Sequence, residues 1–148
     1  MKPAIEVCGG CQCGAVRYAL HEAPSKTHFC HCRMCQRAMG NAFALFTGVP
    51  KTALYWTQGT PAYFASSSLA RRGFCRDCGT PLSFDYHHSD FAYVSLGSLD
   101  QPAAFVPERH FGIESQLPWL QIDDDLPREA TAADSRLAQM TVHQRSSG

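Results

Sequence analysis

Cys30-His31-Cys32-Arg33-Met34-Cys35 sets three thiols within six residues, and its reading decides the fold. Two shorter groups frame it, Cys11-Gln12-Cys13 upstream and Cys75-Arg76-Asp77-Cys78 downstream, so seven of the eight cysteines fall in three knots. Tetrahedral zinc takes four thiolate or imidazole ligands, with sulfur at ~2.3 Å, and ligands one to three residues apart let a single turn aim two sulfurs at one ion. Cysteines one residue apart sit too close for a relaxed disulfide. Metal binding is therefore the expected use of these thiols.

Cys75-x-x-Cys78 followed by Gly79 has the form of a zinc knuckle, in which glycine lets the backbone fold over the metal. One pair needs a second, and Cys11 with Cys13, flanked by Gly9, Gly10 and Gly14, supplies it. Four sulfurs make a closed structural site whose binding free energy goes into folding. Cys30, Cys32 and Cys35 remain, and two readings of them stay open. They hold a catalytic zinc with a free fourth position, or a closed site completed by His31, His28 or Cys8. Cys8 is otherwise read as a partly buried free thiol. His31, between two ligands, is either a support for them or solvated. His28, two residues before Cys30 on a strand, would face the same side and is a candidate for proton transfer.

Outward from the knots, Val16 to Leu20, Phe43 to Thr47, Leu54 to Thr57, Ala62 to Ala65, Leu82 to Phe84 and Phe91 to Leu96 read as short strands bounded by turn residues. The spacing predicts one short helix between Arg33 and Gly40. The fold class is mainly β: a small, zinc-stabilised antiparallel sheet domain with little helix. Residues 1–128 form that domain, and 129–148 are a tail, disordered or a short helix, with Leu137, Met140 and Val142 as its candidates for docking. Trp119, Phe111 and Phe46 are read as core, His87-His88 as an exposed hairpin turn, and Asp123-Asp124-Asp125 as a solvated loop.

Thirteen basic residues balance thirteen acidic ones, so there is no field of the kind that draws a protein to nucleic acid. No apolar run reaches the ~20 residues of a membrane span, and residues 1–13 show no export leader. The chain is expected in the cytoplasm, where thiols stay reduced.

Three stretches carry a resemblance that reaches beyond cysteine. They are Gly10-Cys11-Gln12-Cys13-Gly14-Ala15-Val16-Arg17-Tyr18, Cys30 to Arg37, and Arg72-Gly73-Phe74-Cys75-Arg76-Asp77-Cys78-Gly79-Thr80-Pro81-Leu82. In this order they resemble the signatures of the glutathione-dependent formaldehyde-activating enzyme family, which includes the centromere protein V type domain. The resemblance covers roughly residues 8 to 127, and Gln36 and Met39 depart from the pattern. It implies a β-tent fold and two zinc ions, a structural one on Cys11, Cys13, Cys75 and Cys78 and a catalytic one on Cys30, Cys32 and Cys35. It also implies a carbon-sulfur lyase type of chemistry, joining glutathione or a similar thiol to formaldehyde. Arg33 and Arg37, beside the second knot, are candidates to pair with a carboxylate of the small thiol substrate. Two rivals use the same residues: a non-catalytic zinc module that binds a protein partner, and a zinc store or thiol redox sensor.

Overall fold

Tyr18, Ala19 and Leu20 are almost wholly buried, which is why Arg17–Leu20 (β2) lies at the centre of a sheet. Val7–Gly10 (β1) pairs with it antiparallel on one side and Leu54–Gln58 (β5) on the other, in a three-stranded sheet ordered β1-β2-β5. The Tyr18 hydroxyl is 2.6 Å from Ser98 Oγ, which satisfies its polar end inside the core. In this computed structural model the described residues are 6–145. Positions 1–5 and 146–148 of the expected domain and tail lie outside them.

The second sheet has eight strands: Ser25–Cys30 (β3), Ala44–Pro50 (β4), Ala62–Ala65 (β6), Ala70–Phe74 (β7), Pro81–Tyr86 (β8), Phe91–Ser95 (β9), Arg109–Phe111 (β10) and Arg128–Glu129 (β11). Their order is β11-β10-β3-β4-β9-β8-β7-β6. Pairing is antiparallel from β3 to β6, as the short hairpin-spaced strands predict. At the other edge β10 runs parallel to both β3 and β11, a departure from the all-antiparallel expectation. Parallel neighbours need a long connection, and the chain from Cys30 to Arg109 is that connection.

The one α-helix among the described residues, Arg33–Met39 (α1), ends where expected: Gly40 takes the left-handed conformation at φ 62° and its N–H returns to the last turn. Leu20, Val49, Leu82 and Val94 form the fully buried centre of the main core. Burying each such side chain contributes about 1.5–3 kcal/mol. A second, smaller cluster gathers Cys30, Cys35, Ala44 and Phe46 with Met39, Phe84, Tyr93 and Phe111 around it. Phe46 is core, as read, and Phe111 packs partly buried against it, but both also line a cavity with Cys30, Cys32 and Cys35, while Trp119 is 71% exposed.

After β11 the chain makes two turns of 3-10 helix, Thr131–Ala133 and Ser135–Leu137, and no α-helix among the described residues. It then bridges Val142 to Ser67, with the Ser68 N–H donating to the Thr141 carbonyl at 2.8 Å and the His143 N–H to the Ser66 carbonyl at 3.1 Å.

Candidate metal centre

Cys11, Cys13, Cys75 and Cys78 place their sulfurs within 4.8 Å of one another. Sequence-distant turns are brought together for this: Gly14 and Gly79 sit at φ 82° and 81°, a region that favours glycine, and each turn closes on its first cysteine. The Val16 N–H donates to Cys11 Sγ at 3.2 Å, and Thr80 Oγ1 lies 3.2 Å from Cys78 Sγ. That hydroxyl holds the Cys78 thiol down to about 5. Donors aimed at sulfur suit thiolates rather than thiols. The four residues therefore fit a tetrahedral sulfur-ligated ion.

Cys30, Cys32 and Cys35 form the second group within 4.8 Å. Cys30 ends β3, Cys32 caps α1, and its sulfur accepts from the Cys35 N–H at 3.4 Å. Sharing of hydrogen bonds with Cys30 and then Cys35 holds the Cys32 thiol down to about 3. Arg72, on β7, reaches Cys35 Sγ with Nη2 at 3.5 Å and Ser66 Oγ with Nε at 2.9 Å, and lies 4.7 Å over the Phe84 ring. A buried guanidinium against this group offsets the negative charge that thiolates bring. Among the described residues no fourth His, Cys, Asp or Glu stands within 4.8 Å of all three sulfurs. Cys8 belongs to neither group and is half-buried beside Glu6.

His31 is fully buried, and its Nε2 lies 2.8 Å from His110 Nδ1. His110 Nε2 in turn stands 2.9 Å from an Asp124 carboxylate oxygen. Since the carboxylate accepts, His110 donates to it from Nε2–H, its Nδ1 accepts a hydrogen bond from the His31 Nε2–H, and His31 Nδ1 is left as a bare acceptor. That atom has no partner among the described residues. Asp124 is thus no solvated loop residue. It anchors a chain of rings that locks the backbone between Cys30 and Cys32. On the other side of the knot, Gln36 is buried and donates to the carbonyls of His31 and Ser115 at 2.8 and 2.9 Å.

Gly112 follows β10 at φ 70°, and a Cβ there would fall 2.9 Å from the Cys32 amide nitrogen. Gly112→Ala is expected to cost about 1–2 kcal/mol for the left-handed backbone alone, and to push Cys32 out of register with its neighbours. A thermal melt together with zinc content per chain checks it: the variant should melt earlier and hold its second metal more weakly.

A cavity of about 190 Å³ opens on Cys30, Cys32 and Cys35. His28, Lys26, Arg72 and Arg109 line it, so the strand does carry His28 to the face that Cys30 occupies. Burial pushes His28 down to about 4, and its Nδ1–H donates to the Lys26 carbonyl at 2.8 Å, which leaves Nε2 as an acceptor. Arg33 and Arg37 do not line this cavity. Both are exposed along a shallow groove with Leu117 and Trp119, and Arg33 binds Gln36. The reason is helical geometry: each lies two residues from Cys35, about 200° round the helix, so burying Cys35 turns them outward.

The profile of the family described as glutathione-dependent formaldehyde-activating enzyme matches residues 6–115. An uncharacterized lyase of Schizosaccharomyces pombe is 36% identical over 86 residues, 57% of this chain and 61% of the relative. The chain thus aligns with about three fifths of that relative's length. A crystal structure of a Rhodobacter sphaeroides protein superposes with a TM-score of 0.52 at 22% identity, covering 68% of this chain and 97% of the other. That likeness concerns the fold.

Proposed function

As the chain belongs to the glutathione-dependent formaldehyde-activating enzyme family, we propose that it joins a small thiol, glutathione or a similar one, to formaldehyde or another small aldehyde, and splits the adduct in reverse. One zinc on Cys11, Cys13, Cys75 and Cys78 would hold the fold, and one on Cys30, Cys32 and Cys35 would serve the reaction. The observation that carries this reading is the second group itself: three convergent sulfurs on the wall of a cavity, with no fourth protein donor among the described residues. Zinc held there supplies the acidity that turns an entering thiol into a thiolate.

The chain's own residues do the rest. His28, with Nε2 free to accept on the cavity wall and kept neutral by its burial, relays the thiol proton outward to solvent. The thiol sulfur attacks the carbonyl carbon, the C–S bond forms, and the π pair moves to oxygen. Arg72 and Arg109, both on the wall, face that developing charge before the proton returns to give the hemithioacetal. The cationic role expected of Arg33 and Arg37 falls to these two. Reversal breaks the same C–S bond, which is lyase chemistry.

Calorimetry on the zinc-loaded protein in two buffers of different ionisation enthalpy tests this. Thiol binding should release about one proton per site, and X-ray absorption should show a fourth sulfur at one of two zincs. Silence to thiols in both measurements, with both zincs present, would turn the reading to a partner-binding zinc module.

A further inference from the structure

We infer that residues 131–142 are the specificity-determining wall of the second cysteine cavity, and that they restrict it to thiols smaller than glutathione. The inference rests on the reaction proposed above and concerns which thiol it takes. The family profile matches residues 6–115, and this wall lies beyond that stretch. Thr131, Asp134, Arg136, Leu137 and Met140 line the same cavity as Cys30, Cys32 and Cys35.

The segment is fastened at both ends. At the first, the Thr131 N–H and hydroxyl both bind the Glu114 carboxylate. At the second, the Thr141 N–H donates to Ser68 Oγ at 2.9 Å, Val142 bridges Ser67, and the ring of His143 reaches the Ala65 carbonyl at 2.8 Å. Between them Arg136 Nη2 holds Asp134 at 2.9 Å, which shapes the turn. Leu137 and Met140, three residues apart, are the half-buried positions of this stretch that turn apolar side chains inward.

The resulting volume is about 190 Å³, whereas pockets for ligands of drug size run to roughly 300–1,000 Å³. A tripeptide belongs to that larger class. With the segment docked, the cavity takes the reacting end of a thiol and a short acidic group, for which Lys26 and Arg109 are on the wall. The remaining two residues of a tripeptide would have to lie outside this volume, against the docked segment.

The test compares mercaptoacetate with glutathione on the zinc-loaded full chain by calorimetry, in wild type, Leu137→Ala and Met140→Ala. Wild type should bind mercaptoacetate and take glutathione about tenfold or more weakly, a step of the size that one or a few methylenes make in an apolar pocket. Either alanine variant should improve glutathione relative to mercaptoacetate by about that factor. Zinc content and a melting curve establish that each variant is folded, and either one suffices if the other fails to fold. Equal binding of the two thiols by wild type, or an unchanged ratio in a folded variant, overturns this inference alone. No binding of either thiol overturns it together with the proposed reaction.

Discussion

Cys78→Ser is expected to leave a chain that no longer folds, while Cys32→Ser yields a folded chain with one zinc in place of the two that wild type should carry. The difference lies in what else holds each site. Cys11 and Cys13 sit between β1 and β2, and Cys75 and Cys78 between β7 and β8, so the first group ties one sheet to the other. Beyond the sulfurs, few contacts join those two turns; the Gln12 N–H to Thr80 Oγ1 bond at 3.0 Å is exposed. Apparent binding free energies of structural zinc run to about 10–16 kcal/mol, and whole domains are stable by only about 5–15 kcal/mol. Losing the fourth thiolate removes a term as large as the whole. The second group stands on β3, which β4 and β10 already pair, and its helix is held by Gln36 and by the chain from His31 to Asp124. Its metal adds little that the backbone does not already fix. Elemental analysis and circular dichroism on the two variants decide the matter: equal loss of structure in both would end the division into a structural and a reactive site.

What was legible in the sequence was whatever chemistry is local. The helix Arg33–Met39 and its stop at Gly40 match the spacing and the glycine that predict them, and β6 has the bounds that its turn residues set. The cysteine groups are legible for the same reason, since ligand spacing is a property of one turn. β3, β7 and β10 escape a search for apolar alternation because polar groups fill their buried positions. Thr27 bonds Thr47 at 2.7 Å, His28 bonds a carbonyl, and Arg72 bonds sulfur and hydroxyl. Each is satisfied only by a partner that the sheet brings near, and a residue scale reads it as surface. The His110 and Asp124 supports of the knot are likewise unreadable, since His31 meets His110 across 79 residues of chain. Arg33 and Arg37 are different. Their outward direction follows from the helix period and the inward turn of Cys35, so the signal that they do not line the cysteine cavity was already present in the spacing.

Arg72→Met is the second large effect expected. The methionine stem keeps the apolar contact with Phe84, so β7 should stay paired between β6 and β8 and the first zinc should be untouched. What disappears is the one buried guanidinium that bonds both Cys35 and Ser66. Three thiolates around a divalent ion leave a net negative charge, and removing the partner of a buried charge costs about 3–5 kcal/mol. Part of that is recovered because the thiolates release their metal or take up protons, so the observable loss falls on the second zinc. Affinity there should drop about 10–100-fold, the range seen when groups that support metal ligands are removed. Arg72→Lys separates charge from geometry: an ammonium keeps the positive charge but cannot bond Cys35 and Ser66 with the fixed fork of a guanidinium. It should therefore restore part of the affinity and less of the thiol binding. Titration with a competing chelator, followed in both variants alongside a melting curve, reads the two sites separately. An Arg72→Met chain that folds and holds both zincs as tightly as wild type would show that the guanidinium supports the sheet and not the metal.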